Sequence, residues 1–478
     1  MRPSCAYRLV ALLYLVAASH RHSGASAKPL RERQKRERRR QERRTEVVVV
    51  DEDEPPLDLP LPPAATGSLL DLQFTTDPHA GRDPLDLVLD GTFALAALRY
   101  GPASFKAGVG PADAYGPDVY GEFCAHDPAL DGTAPAALPT AAARAGAAEH
   151  CGEHRRTLPL GEVVAAVRAR DAAAAGASPL PVAGLLFHEG RAGAGLLAGA
   201  VAAAGGRDVR VVAEHPALRD ALATCDVVRN RYRQGDCDPA RQRRLVEDVV
   251  ALLARPGPDG ATRLYLKLSS GSTAYLPALR ASYPNAPWVF VYREADDALA
   301  KATERGRQVG CVKARRNPSA ALRDHAADRL PAAGHANLDS PSRLEVCALH
   351  LASLLRVATE EHARTGTGLL AAYELDVRDN VESVAGTLLP YLGLGEEVRA
   401  DPAGVRDRVA QVLATQSDTS SARRGQDTTW RGETVQVSEE VTAASHAFMA
   451  ADTEAIAKMR ERDAAARERK AEEAGEAR

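Results

Sequence analysis

A glycine-rich stretch, FHEGRAGAGLLAGAVAAAGG (Phe187–Gly206), directly follows the apolar run PVAGLL. A strand, a glycine turn with one arginine and an alanine-rich helix can together bind phosphate, because a helix N-terminus leaves about four backbone N–H groups unpaired. Gly193 and Gly195 would let the backbone approach an anion, and Arg191 could pair with it bidentately. A tight turn that binds nothing would explain the same residues. The sequence GxxxxGK[ST] is absent, which disfavours ATP or GTP hydrolysis.

Polar residues also follow other apolar runs that are predicted to be strands. The predicted strands are Val182–His188, Val209–Glu214, Leu264–Ser269, Trp288–Arg293 and Gly368–Leu375. Their mostly continuous apolar character is typical of strands covered on both faces, and helical segments alternate with them. We therefore predict an α/β fold whose central sheet is mainly parallel and flanked by helices. Such sheets bind ligands beyond the carboxyl ends of their strands, which is where the polar residues collect.

Three motifs together resemble the sulfotransferase superfamily, and more closely its sulfotransferase-like proteins in bacteria and algae. They are VAGLLFHEGRAGAG, AEHPAL and LYLKLSSGSTAYLPALRASYPNAPWVFVYRE. The resemblance covers roughly residues 158–431, whereas the N-terminal third contains no matching motif. It implies a P-loop-like fold of the sulfotransferase type. It also implies 3′-phosphoadenosine 5′-phosphosulfate as sulfate donor and a hydroxyl or amine of a glycan, peptide or small metabolite as acceptor.

The resemblance assigns the loop Arg191-Ala192-Gly193-Ala194-Gly195 to the 5′-phosphosulfate, where family members commonly have (K/R)-S-G-T-T. Arg191 keeps the basic group of this motif, and Gly193 keeps the close backbone approach. Ala194 and Gly195 stand where the family has two threonines, so two side-chain hydrogen bonds to the phosphate are missing.

Two further partial matches imply the rest of the nucleotide site. Arg293 matches the arginine of the 3′-phosphate motif, and Lys301 stands eight positions later, where the family has serine. Lysine could still pair with a phosphate as a point charge. Arg423-Arg424-Gly425, followed by Trp430 and Arg431, resembles the RKGxxGDWK loop, with Thr428-Thr429 in place of Gly-Asp.

Sulfuryl transfer needs a base that accepts the proton of the acceptor group. Golgi-type members of the family have a glutamate just after the second strand, where Glu214 stands in this chain. A carboxylate that caps the helix after Pro216 is the structural alternative. His188 and Glu189 are the next candidates, although a hydrogen-bonded structural histidine is the favoured interpretation of His188. We interpret Lys267 as a strand lysine whose head reaches the rim of the site.

A catalytically inactive protein of the same fold, which binds a nucleotide or another ligand, is the alternative function because of Ala194 and Gly195. A kinase is a third possibility that the missing Lys-Ser/Thr pair disfavours. No CxxC pair and no Cys/His cluster at zinc spacing occurs, so we predict no metal. The net charge of −3 gives no indication of nucleic acid as a partner.

The first 27 residues have the pattern of a cleaved secretory signal peptide. Arg2 and Arg8 flank the apolar run Leu9–Ala18, and Ala25-Ser26-Ala27 offers a cleavage site. A short membrane anchor or an organelle-targeting leader is the alternative, although a membrane-spanning helix takes about 20 apolar residues. We therefore expect a luminal or secreted protein without a stable transmembrane span.

The remaining organisation follows from composition. Residues 28–66 are predicted to be a disordered stem. Their first part, Arg31–Arg44, contains nine basic and three acidic residues, and an acidic, proline-rich run follows it. A polyanion-binding arm or a proprotein-cleavage site is the alternative. We predict an accessory region at 67–157, the α/β domain at 158–435 and a charged helical tail at 436–478. Six cysteines remain after the leader and could form three disulfides, whose pairing the sequence leaves open: Cys124, Cys151, Cys225, Cys237, Cys311 and Cys347.

Overall fold

A computed structural model describes most of the chain after residue 80. The described residues are 81–90, 93–100, 119–125, 156–173, 179–232, 238–255, 260–303, 309–422 and 437–476. The chain divides into two units, and all described residues belong to the second, Asp77–Arg478. The predicted signal peptide and stem lie outside the described residues, as do Arg423, Arg424 and Gly425.

The described strands form two sheets. In chain order they are β1 (Phe93–Tyr100), β2 (Val119–Ala125), β3 (Arg156–Pro159), β4 (Val182–His188), β5 (Val209–Ala213), β6 (Arg263–Lys267), β7 (Trp288–Tyr292) and β8 (Leu369–Ala372). The first three pair antiparallel in the order β1-β2-β3, and the other five pair in parallel in the order β5-β6-β4-β7-β8. The prediction of a mainly parallel α/β sheet is confirmed, because each of the five apolar runs contains or overlaps one of these strands.

Helices surround the parallel sheet and make up the C-terminal region. They are α1 (Pro84–Leu89), α2 (Leu160–Ala173), α3 (Ala194–Gly205), α4 (Pro216–Tyr232), α5 (Pro239–Leu253), α6 (Leu276–Ser282), α7 (Ala295–Thr303), α8 (Val309–Arg316), α9 (Ala320–Arg329), α10 (Arg343–Thr365), α11 (Val381–Ser383), α12 (Gly395–Ala400), α13 (Pro402–Ala422), α14 (Glu439–Phe448) and α15 (Ala450–Glu476). The predicted helical character of the C-terminal region is thus confirmed. Within the described part of the chain, no helix combines the length and the apolar character that a membrane span requires.

Alternating side chains of the parallel strands fill two separate cores, one on each face of the sheet. In β7, Trp288 and Phe290 point into the first core, whereas Val289 and Val291 point into the second, and all four are fully buried. The first core contains residues of α4–α7, α9 and α10, and the second contains residues of α3 and α13. Burial on both faces explains why these strands are almost continuously apolar.

The connections that leave the neighbouring strands β4 and β6 run over opposite faces of the sheet. From β4 the chain crosses the second face through α3 to reach β5, whereas β6 leads to β7 over the first face through α6. A parallel sheet has its ligand crevice where neighbouring connections separate in this way, outside the carboxyl ends of the strands. Because α3 returns toward the start of the next parallel strand, its N-terminus lies at that carboxyl edge.

The antiparallel sheet packs on the first face of the domain. Phe93, Leu95 and Leu98 of β1 belong to the same buried cluster as residues of α4 and α5. The Tyr100 hydroxyl lies 3.0 Å from the Thr224 hydroxyl of α4. The antiparallel sheet therefore packs on the first core, which lies on the face of the parallel sheet opposite α3.

One disulfide is defined by both of its partners. Cys311 of α8 is bonded to Cys347 of α10, and Cys124 and Cys225 are also disulfide-bonded. Four of the six cysteines are therefore disulfide-bonded, which supports the expectation of disulfides. Only the pairing of Cys311 with Cys347 is defined.

Candidate functional site

The glycine loop between β4 and α3 has an unusual backbone. Gly190, Arg191 and Gly193 have φ values of 136°, 47° and 76°. Glycine adopts such angles readily, but a left-handed conformation costs a residue such as arginine about 1–2 kcal/mol. Gly193 is the N-cap of α3 and makes no side-chain cap hydrogen bond. The first turn of α3 therefore begins at the carboxyl edge of the sheet without a capping side chain.

Two side chains from other segments lie against this loop. A Cβ atom on Gly193 would lie 2.3 Å from Cδ2 and Cε2 of Tyr373, so the aromatic ring fills the space that a side chain at 193 would need. A Cβ atom on Gly190 would lie 3.8 Å from the Ser270 hydroxyl. Tyr373 follows β8 and Ser270 follows β6, so loops from three strands meet at Gly190–Gly193.

Arg293, which follows β7, is buried among carboxylates and the same tyrosine. Its Nε lies 2.9 Å from Asp297 Oδ2 and 3.0 Å from Glu374 Oε1. Its guanidinium carbon lies 4.2 Å from the centroid of the Tyr373 ring, which is cation–π geometry. Its Nη1 is buried and has no hydrogen-bond partner in the described part of the chain. Asp297 and Glu374 thus neutralise the charge of Arg293, while its Nη1 has no hydrogen-bond partner among the described residues.

Glu189 contacts the backbone of Arg293. Its Oε1 accepts a hydrogen bond of 3.0 Å from the Arg293 backbone N–H, and its Oε2 is buried without a partner among the described residues. The side chain is fully buried, and burial raises the pKa of this carboxyl well above its usual 4.5. The neutral acid is therefore favoured, and an acceptor could not reach Glu189 as a general base without a rearrangement.

Glu214, Lys267 and His188 form a second cluster at the ends of β5, β6 and β4. Glu214 has φ of 52°, its N–H donates to the Lys267 carbonyl at 2.6 Å, and Lys267 Nζ donates to its carboxylate. His188 Nε2 lies 3.9 Å from Glu214 Oε1 and 3.1 Å from the Leu268 carbonyl. Lys267 is 3 % exposed, so its charge is buried but paired. The Glu214 carboxylate is thereby fixed against a buried ammonium group.

Both clusters lie on the face of the sheet that α3 covers. His188 comes two residues after Leu186, and Lys267 comes two residues after Tyr265, and side chains two apart in a strand point to the same face. Leu186 and Tyr265 belong to the second core, as does Tyr373. The glycine loop, Arg293 and the Glu214 carboxylate are therefore arranged around the N-terminus of one helix.

The structure connects some of the residues that the sequence singled out. The Tyr373 ring lies between Gly193 and Arg293, and Glu214 lies beside His188. Lys301 lies one helical turn after Asp297 on α7, so both residues are on the same side of that helix. Asp297 is the residue of this helix that pairs with Arg293. Its role at a phosphate stays a prediction, as does that of Arg423, Arg424 and Gly425.

Sequence reasoning missed Tyr373 and Glu374 as parts of this site. Both residues were placed inside the predicted strand Gly368–Leu375, whereas the strand in the structure ends at Ala372. The rule that selects polar residues after a strand end therefore did not reach them. The pairing of Glu214 with Lys267 could not have been found in this way, because no motif links residues 53 positions apart.

Comparisons with known proteins do not identify the site. No protein-family model matches this chain, and no curated protein matches it. Among the described residues, no group of three or more His, Cys, Asp and Glu side chains could hold a metal ion. The function must therefore be inferred from the geometry and the motifs together.

Gly193→Ala should destabilise the protein, because the new methyl group would collide with the Tyr373 ring. Overpacking typically costs about 1–3 kcal/mol of unfolding free energy. Gly206→Ala is the matched control: Gly206 also has positive φ (57°), but nothing lies within 4 Å of its Cβ position. Urea denaturation should show a larger loss for Gly193→Ala, and Tyr373→Ala in the same chain should recover part of it. Equal losses for the two glycine variants would contradict the close contact.

Glu189→Gln should change how stability depends on pH. The folded-state pKa of Glu189 is raised, so the unfolded chain releases this proton first and wild type loses stability as pH rises above about 4.5. The glutamine variant lacks this loss, so its unfolding free energy relative to wild type should rise toward neutral pH, by at most about 1.4 kcal/mol per pH unit. Glu454→Gln is the control, because the ion pair with Lys458 lowers the pKa of that exposed carboxyl. Parallel pH curves for wild type and Glu189→Gln would refute a neutral Glu189.

Proposed function

We propose that this protein is a sulfotransferase that moves a sulfuryl group from 3′-phosphoadenosine 5′-phosphosulfate to a hydroxyl or amine. The observation that carries the proposal is the position of the glycine loop. It lies at the end of the central strand β4, where the sheet connections diverge, and it leads into the uncapped N-terminus of α3. The loop thus combines backbone donors, a positive helix end and the exposed Arg191, which suits an anionic group.

The proposed nucleotide is bound by its two phosphate ends. The 5′-phosphosulfate would accept from backbone N–H groups at Gly193–Gly195 and pair with Arg191. The 3′-phosphate would pair with Arg293, whose Nη1 is a buried donor without a partner among the described residues. An unsatisfied buried donor costs roughly 1–3 kcal/mol, which a bound phosphate oxygen would recover. Arg424 and Lys301 complete the expected set from the motif resemblance.

The proposed reaction is an in-line displacement at sulfur. The oxygen or nitrogen of the acceptor forms a bond to sulfur while the bond from sulfur to the bridging phosphate oxygen breaks, and 3′-phosphoadenosine 5′-phosphate leaves. Glu214 accepts the proton of the acceptor group. Positioning and charge neutralisation would supply most of the rate, as in phosphoryl transfer.

Backbone strain supports the assignment of Arg191 and Glu214. Non-glycine residues with positive φ in the described part of the chain are Arg191, Glu214 and Asp379. Such residues cost about 1–3 kcal/mol and tend to cluster at functional sites. Two of the three are residues for which the motifs had already predicted a role.

A nucleotide-binding protein without catalysis is the second candidate, and one observation favours it. Ala194 and Gly195 provide no hydroxyl groups to the loop. Both candidates bind the same nucleotide, and only transfer of sulfate distinguishes them.

We further propose a secretory or luminal location, since disulfides such as Cys311–Cys347 persist in oxidising compartments.

Arg191→Met in the full chain should weaken binding of adenosine 3′,5′-bisphosphate. Loss of one charge-assisted contact corresponds to about 1.5–3 kcal/mol, or roughly tenfold to a hundredfold in affinity. Arg207→Met is the matched control, because Arg207 is also exposed but lies at the other end of α3, about 18 Å along the helix. Isothermal titration calorimetry measures both. An Arg191→Met protein that binds as tightly as Arg207→Met would exclude the loop as the phosphate site.

Glu214→Gln should reduce sulfate transfer while nucleotide affinity stays nearly unchanged, because Glu214 would contact the acceptor. General bases contribute about 100- to 10,000-fold in rate. Transfer of labelled sulfate to a panel of hydroxyl and amine acceptors measures turnover, and the melting temperature controls for loss of the Lys267 ion pair. Undiminished turnover would assign the base to another residue, and absence of transfer in the nucleotide-bound wild type would favour the binding protein.

A further inference from the structure

The segment Tyr373–Val377 lies against both elements that would bind the two phosphate ends of the nucleotide. The Tyr373 ring contacts the glycine loop at Gly193 and lies under the Arg293 guanidinium. The Glu374 carboxylate lies 3.0 Å from Arg293 Nε, which is where a phosphate oxygen would pair with this side chain. A phosphate that paired with Arg293 through Nε would therefore compete with Glu374, and the adjacent Tyr373 lies against the loop that would bind the other end of the ligand.

The C-terminal helix α15 holds the other side of this segment. Arg460 donates from Nε to Asp376 Oδ2 at 2.9 Å and from Nη2 to Asp376 Oδ1 at 2.8 Å, a bidentate pair. Asp376 Oδ2 also accepts a hydrogen bond of 2.7 Å from the Ala372 backbone N–H, at the end of β8. Asp376 thus ties the segment both to the sheet and to a helix 84 residues away in sequence.

Helix α15 is itself fixed to the domain on either side of Arg460. Asp452 lies 3.1 Å from Arg329 Nη2 of α9, and Asp463 lies 2.9 Å from His362 Nε2 of α10. Ile456 is fully buried in the first core. The helix is therefore held to the domain at several points, so the Arg460–Asp376 pair connects the segment to α9, α10 and the first core through α15.

We propose that Tyr373–Val377 is a latch, which α15 holds closed over the anion site through Arg460. The proposal rests on the proposed nucleotide site at the glycine loop and Arg293. In the closed arrangement, Glu374 takes the place of a phosphate on Arg293 and Tyr373 covers Gly193. The nucleotide binds when the segment moves away, so the apparent dissociation constant equals the intrinsic constant divided by the open fraction.

Simple electrostatics and the latch predict opposite effects on anion binding when the positive charge of Arg460 is removed. Arg460→Met removes a positive charge, which by simple electrostatics should weaken the binding of an anion or leave it unchanged. The latch predicts the opposite sign, because loss of the Asp376 pair raises the open fraction. Lys458→Met is the matched control: it removes one positive charge and one ion pair, with Glu454, from an exposed position of the same helix.

Binding of adenosine 3′,5′-bisphosphate to the full chain is measured by calorimetry in the wild type and both variants. We expect Arg460→Met to bind roughly threefold to tenfold more tightly than wild type, and Lys458→Met to bind within about twofold of it. Glu374→Gln should also tighten binding, by about tenfold, because the competing carboxylate is gone. Arg460→Met that binds no more tightly than Lys458→Met would overturn the latch, while nucleotide binding by wild type would leave the proposed function standing.

Hydrogen exchange of the backbone amides of Ala372 and Arg378 in the full chain tests the latch without any ligand. The Ala372 N–H is bonded to Asp376, and the Arg378 N–H donates to the Tyr373 carbonyl at 2.7 Å, so both amides report closure. Exchange should be faster in Arg460→Met than in Lys458→Met, and equal rates would overturn the latch. If no protein binds the nucleotide, the proposed function fails and exchange alone decides the latch. Asp376→Asn, which keeps the acceptor for Ala372, replaces Arg460→Met if that variant does not fold.

Discussion

Burial of the parallel sheet on both faces is the constraint from which the rest of the site follows. Strands covered on two sides have no place for unpaired polar side chains except at their ends. Several charged residues of this domain accordingly follow the ends of the parallel strands, and the carboxyl edge is also where α3 begins. A helix N-terminus, a strained loop and several charged groups are thus forced into one small region by the packing of apolar strands.

The charge balance at Arg293 links this constraint to the proposed latch. Burial favours a neutral Glu189, so the arginine is compensated by Asp297 and Glu374, which lie nearer to solvent. A phosphate could replace Glu374 without leaving the arginine uncompensated. Because Glu374 belongs to the segment that Arg460 holds, an electrostatic exchange at one residue would be coupled to the position of the C-terminal helix.

The sequence predicted the sheet well because its signal is local. Continuous apolar runs, glycine punctuation and polar strand ends located all five parallel strands, and the glycines at 190, 193 and 195 indicated the turn after β4, although not the positive φ of Arg191. The contacts that define the site were not predictable in this way. The pairs of Glu214 with Lys267 and of Arg460 with Asp376 depend on which strands and helices become neighbours, and the antiparallel sheet came from a region of weak periodicity.

A crystal structure of the full chain with adenosine 3′,5′-bisphosphate would show whether the glycine loop and Arg293 bind this nucleotide. We expect the 5′-phosphate to lie within hydrogen-bonding distance, about 2.7–3.2 Å, of the backbone N–H groups at Gly193–Gly195. We also expect the 3′-phosphate to pair with Arg293 in place of Glu374. A nucleotide bound elsewhere, with Tyr373 still against Gly193 and Glu374 still on Arg293, would contradict this nucleotide site.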